Sequence, residues 1–248
     1  MFFFLLAWGF AYCAGNIYMF MRGLFELRQH LATPLYEGFR WREIFERGRE
    51  FWSFIGVIYW QTNLDLIPKQ VSTLLAGNLL GPAAAGQFRL AREISTVLTR
   101  PAALLRDVLF PDLTRAWHSK DPKFRKLQFR TSAIAGSAGL LIVIFAWFAG
   151  ESLLALVGED YVPAKPLMVL LLFAASFEMA SAPFRAAAYA MGKAAMLLRI
   201  HAVGVGFYIV IFYLVTGHIG LIGPGLASVA TSILTFTLTA SLITRMQK

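Results

Sequence analysis

Seven runs of mainly apolar residues dominate the chain, at roughly 2–22, 51–79, 84–112, 131–154, 164–188, 194–216 and 220–243. An α-helix needs about 20 such residues to cross a hydrocarbon core about 30 Å thick. Turn residues punctuate the runs: Gly81-Pro82, the stretch from Gly158 to Pro163, Gly192, and Gly217 to Gly220. A longer polar stretch, 23–50, follows the first run, and within it Trp41 to Arg49 reads as a short amphipathic helix lying on a membrane surface. The first run lacks a basic lead and exceeds the apolar length of about 7–15 residues usual for a signal peptide. The pattern therefore predicts an all-α, polytopic transmembrane bundle of about seven spans. It is organised as a helix over 1–22, a basic linker over 23–50 and six helices over 51–248.

Composition agrees with the pattern. Of 248 residues, 58% are hydrophobic and only 15% charged, against about 45–50% and about 25% in soluble domains. The net charge of +9 would suit nucleic acid or an anionic surface, but the chain has no soluble basic domain, so nucleic-acid binding is not expected. Its one cysteine, Cys13, permits no internal disulfide, and His30, His118, His201 and His218 are scattered without metal-ligand spacing. No metal or cofactor is expected.

Charge placement orients the spans. Residues 22–50 carry Arg22, Arg28, Arg40, Arg42, Arg47 and Arg49. Residues 115–130 carry Arg115, Lys120, Lys123, Arg125, Lys126 and Arg130. Arg185, Lys193 and Arg199 flank the fifth-to-sixth turn, and Arg245 and Lys248 close the chain. These make 17 of the 23 Lys and Arg, whereas the alternate loops hold only Lys165. The positive-inside rule then places the C-terminus in the cytoplasm and the N-terminus outside. A chain that enters directly on an outward-facing span predicts further spans upstream.

Lys69, Arg89, Arg92, Arg100 and Arg106 lie within spans, where each costs about 2.5–3.5 kcal/mol if it faces lipid at a helix centre. In the third span Arg89, Arg92, Glu93, Thr96, Arg100, Arg106 and Asp107 fall in one sector of about 140° at 100° per residue. Such a stripe lines either a cavity or a buried polar seam. As a cationic lumen, Arg89, Arg92, Arg100 and Arg106 suit an anionic substrate, because the guanidinium donates bidentate hydrogen bonds to phosphate. The plainer alternative pairs Arg89 with Glu93, and Arg106 with Asp107 or Asp112. Pro101 is a hinge candidate or a static bend. In the second span Asp65 and Lys69 stand at i,i+4, either as a neutralised pair or as a site for a coupling ion. Glu178 shares a face with Arg185 and is a proton-relay candidate.

The run Gly77-Asn78-Leu79-Leu80-Gly81-Pro82-Ala83-Ala84-Ala85-Gly86-Gln87-Phe88-Arg89-Leu90-Ala91-Arg92 resembles the junction between the seventh and eighth helices of polysaccharide flippases. These are the O-antigen and exopolysaccharide exporters of the multidrug/oligosaccharidyl-lipid/polysaccharide superfamily. Further resemblances follow in order: Pro101 to Leu105, Leu109 to Leu113, Leu156-Val157-Gly158 with Tyr161 and Ala164, Ala190 with Gly192-Lys193, and Gly220 to Ala227.

The resemblance implies that 51–243 form the C-terminal six-helix lobe of a twelve-helix flippase, and 2–22 the helix before it. It implies a bacterial inner-membrane transporter, not an enzyme, that moves an undecaprenyl-pyrophosphate oligosaccharide by alternating access for lipopolysaccharide O-antigen or other surface polysaccharide. Coupling to a proton or sodium gradient would accompany it. The partners implied are the lipid-linked oligosaccharide, membrane lipids and a missing N-terminal lobe or partner half. A fragment of a longer protein or a half-transporter would both fit. Alternatives are a drug/cation antiporter or peptidoglycan-precursor flippase of the same superfamily, or an integral-membrane glycosyltransferase or polymerase; the very short outer loops disfavour the last.

Overall fold

The computed structural model describes residues 10, 12–23, 25, 41–119 and 123–246, all helix apart from short turns and without a strand among them. It divides into two units, 1–53 and 54–248. In the first unit residues 12–23 are helical, and Asn16 Nδ2 donates to the Tyr12 carbonyl at 2.8 Å. The rest of the first predicted span and most of the 23–50 linker lie outside the described residues.

Helix α1 runs Trp41–Leu66 without interruption. The expected separate surface helix at Trp41 to Arg49 is instead the opening of this longer helix. No proline precedes Pro68 in this stretch, and Gly48 and Gly56 are tolerated weaknesses rather than stops.

The helical path widens into a π-turn over Ile67–Val71 before continuing as α2, Ser72–Leu80. Pro68 accounts for the widening, since it has no N–H to give and its ring crowds the preceding turn. Gly81, at φ 91, ends α2 in a conformation open to glycine. Pro82 then opens α3, Pro82–His118, which passes through Pro101 as continuous helix.

Helix α4 spans Lys123–Ala155, and a 3₁₀ turn over Glu159–Ala164 leads into α5, Lys165–Ala190. Helix α6 spans Ala194–Ile219. Gly220, at φ 70, reverses the chain through a second 3₁₀ turn into α7, Gly223–Met246. Three stretches of the described residues are long and apolar enough to cross a bilayer: Phe124–Ala155, Glu159–Ala190 and Ala194–Met246. The third contains both α6 and α7.

In the unit 54–248, α5 is the central helix, packed by α3, α4 and α7. Of its most apolar window 72% is buried, against 22% for that of α4. Its small residues make this possible. Gly139 of α4 approaches so closely that a Cβ there would stand 2.9 Å from Ser176 Cα of α5. Two turns earlier on α4, Ser132 Oγ donates to the Ala180 carbonyl at 2.6 Å across the same contact. Phe88, Leu154, Leu167, Met168 and Phe212 form the main core, and Phe124, Phe184 and Ile243 a second cluster.

Candidate functional site

Three polar groupings stand out in the unit 54–248, all on α1–α3 and the helices against them. The first is built on the π-turn. Arg92 of α3 is half-buried, and its Nη1 donates to the Pro68 carbonyl at 3.2 Å, Ser72 Oγ at 3.0 Å and Thr73 Oγ1 at 3.3 Å. Ser72 Oγ also donates to the Pro68 carbonyl. The Arg92 guanidinium carbon sits 5.7 Å from the Phe88 ring centroid, a cation–π distance. Tyr208 of α6, buried, brings its hydroxyl beside Ser72, Ser228 and Arg92. The geometry assigns Arg92 to a seam between helices, where its charge meets three oxygens at the irregular turn.

The second grouping joins α1, α5 and α6. His201 Nε2 stands 3.0 Å from Asp65 Oδ1. The two atoms are close, but the geometry is not that of a well-aligned hydrogen bond. Tyr189 donates its hydroxyl to Gln61 Oε1 at 2.7 Å. Arg185 lies within electrostatic reach of Asp65. Its Nη2 donates to the Glu178 backbone carbonyl at 3.2 Å, and its buried Nε has no hydrogen-bond partner.

Lys69 is exposed and does not close on Asp65. The same-helix pair expected from i,i+4 spacing is therefore replaced by a pair with α6. Glu178 likewise meets Arg185 through its backbone, and its side chain is exposed.

The third grouping is the outer face of α3. Phe88, Ala91 and Ser95 are buried, while Arg89, Glu93 and Arg100 are exposed and Thr96 is half-buried between them. Successive angles near 0°, 40°, −20° and 20° put Arg89, Glu93, Thr96 and Arg100 in one narrow stripe about 16 Å long. Arg89 and Glu93 do not close into an ion pair. The side chains of Pro101, Arg106 and Asp107 lie outside the described residues. Among the described residues no three His, Cys, Asp or Glu side chains converge as metal ligands.

The structure thus divides the predicted cations: Arg89 and Arg100 share an open face, and Arg92 turns away into the seam. Sequence reasoning missed His201, Tyr189 and Tyr208. His201 carried one signal, an ionisable residue inside an apolar run, which by default marks a site.

An inner membrane protein of Escherichia coli (strain K12), YghQ, is 32% identical to this chain over 125 residues, 47% of this chain and 33% of that protein. The chain thus matches about a third of that relative's length. No family model and no solved structure matches it. With an inner-membrane relative and helices long and apolar enough to cross a bilayer, the chain is an all-helical membrane protein.

Proposed function

We propose that this chain is part of a bacterial inner-membrane flippase of the polysaccharide exporter family, and that the outer face of α3 lines its substrate path. The observation that carries the reading is the exposed stripe Arg89–Glu93–Thr96–Arg100 on a helix whose opposite face is buried. Three charges in lipid at that depth would cost about 8–10 kcal/mol on insertion scales. Water or a second lobe is the environment that removes this cost. Two guanidiniums spaced three turns apart suit an anionic, extended substrate such as a pyrophosphate-linked sugar lipid. Asp65 with His201, flanked by Arg185 and Lys69, is the candidate site for a coupling proton.

The test uses the complete inner-membrane protein in cells that depend on it for surface polysaccharide. Arg89→Ala with Arg100→Ala is expected to reduce polysaccharide at the surface at least tenfold while protein level in the membrane is kept. Unchanged polysaccharide would sink the cationic-path reading.

A further inference from the structure

The path from α1 through the π-turn to α2 is anchored unevenly. Beyond the turn, α2 buries Ser72 and Ala76 and packs against α3 and α6. Before it, no described side chain of residues 55–66 is buried, and α1 packs closely against none of α3 to α7. Among the described residues, two polar side-chain contacts tie this stretch to other helices: Gln61 with Tyr189 of α5, and Asp65 with His201 of α6. Thr62 and Asn63 donate only to carbonyls of their own helix, those of Ile58 and Tyr59.

The π-turn is built to pivot. Pro68 supplies no N–H to the helical ladder, and its carbonyl accepts from Ser72 and Arg92 instead. Arg92 also reaches Ser72 Oγ and Thr73 Oγ1, so it pins the α2 side of the turn and leaves the α1 side free. An interrupted ladder with one side fixed is where a helix bends most easily.

The two ties depend on pH differently. Tyr189 to Gln61 is a hydrogen bond between neutral groups. Asp65 Oδ1 and His201 Nε2 stand 3.0 Å apart without good alignment. A misaligned contact gains little from a neutral imidazole, but a charged ring at that distance makes an ion pair. The surrounding charges do not replace it. Lys69 of the π-turn and Arg185 of α5 lie within electrostatic reach of Asp65, yet Lys69 is exposed and Arg185 donates to the Glu178 carbonyl. The Glu178 side chain is exposed. On α6 itself Arg199 is exposed, about 200° around the helix from His201, and Tyr208 lies two turns further on. Helix α2 has no titratable residue, and α7 has only Arg245, in its last turn. Of these residue types, histidine is the one that ordinarily changes charge between about pH 5 and 8.

We propose that Asp65 and His201 form a proton-dependent clasp: with the imidazole protonated, residues 54–66 of α1 are drawn onto α6, and without the proton they swing outward about the π-turn. The clasped form takes up the proton, so by linkage it dominates at low pH and gives way as pH rises. This rests on the reading of Asp65 with His201 as the site of a coupling proton, and says what that proton moves. It is measured without substrate, so either can fail alone.

The experiment places spin labels at Thr62→Cys and Val203→Cys, both exposed, in the full chain with Cys13→Ser. Pulsed electron paramagnetic resonance reads their separation in phosphatidylcholine nanodiscs at about pH 5 and about pH 8.5. The short-distance population is expected to fall about fivefold from the lower pH to the higher, the scale of a partly exposed ion pair. A second pair, Val203→Cys with Ile233→Cys, spans the packed α6–α7 contact and should not change. His201→Gln and, separately, Asp65→Asn should give the same distances at both pH values, with the long one favoured. If the 203–233 distance shows that His201→Gln does not fold, Asp65→Asn, nearly unchanged in shape, carries the test. Identical distances in the unaltered clasp at both pH values, a pH response that survives either substitution, or an equal change in the 203–233 pair overturns the proposal.

Discussion

Arg92 shows how much of a residue's role depends on where its neighbours bend. By angle it sits at the edge of the polar stripe of α3, and its guanidinium reaches the π-turn because the Pro68 carbonyl there is open to side-chain donors. Hydrogen bonds to a charged group contribute about 1.5–3 kcal/mol when buried. For this half-buried side chain the low end applies. Arg92→Ala is therefore expected to destabilise the protein by about 1–2 kcal/mol, measured by thermal unfolding in detergent, and Arg92→Lys should recover less than half because one ammonium cannot reach all three oxygens. Arg89→Ala should change stability by less than about 0.5 kcal/mol, since Arg89 is exposed. Equal losses at 89 and 92 would contradict the division of roles. At this scale the sequence located the cations but could not rank them, because periodicity describes one helix and the partners of Arg92 lie about 20 residues earlier on another.

Among the elements, the breaks were legible and the irregularity was not. Gly81-Pro82, Gly192 and Gly220 end helices for the reasons that their residue types give, a left-handed φ or a missing donor. The π-turn was hidden because Pro68 sits inside an apolar run that reads as one span. The partner of Asp65 was hidden for a related reason: i,i+4 spacing sees only the same helix, whereas His201 is 136 positions away. The two features are connected. A π-turn sets the preceding segment about 100° from where a regular helix would hold it. Pro68→Ala removes the cause of the widening and is expected to let α1 and α2 join as regular helix. That would swing Asp65 away from His201. Cysteines placed at 65 and 201, with Cys13→Ser, should cross-link readily when Pro68 is present and at least fivefold less in the Pro68→Ala background. Undiminished cross-linking would mean that packing against α5 and α6, rather than the proline, holds the turn.

For the unit 54–248 as a whole, the question is which surface meets water and which meets lipid. Two of its faces are open in opposite chemical senses. On α3 the exposed set is Arg89, Glu93 and Arg100, and on α4 it includes Leu141, Phe145 and Phe148, with Phe148 79% exposed. A bilayer satisfies the second face and penalises the first by several kcal/mol. The apolar runs made the membrane class plain from the sequence, since 58% hydrophobic residues cannot be packed into a soluble core of this size. Which flank would be wet was less plain, because the most apolar windows of α4 and α5 are alike in hydropathy and differ in what covers them. Single cysteines in a Cys13→Ser background separate the cases. A water-soluble maleimide should label positions 89, 93 and 100 at least tenfold faster than positions 141, 145 and 148. Positions 88 and 91 should stay unlabelled because Phe88 and Ala91 are fully buried. A lipid-soluble maleimide should reverse the order of the two exposed sets. Slow aqueous labelling at 89, 93 and 100 together would place the charged face of α3 against dry protein, and the path would have to be sought elsewhere in the membrane.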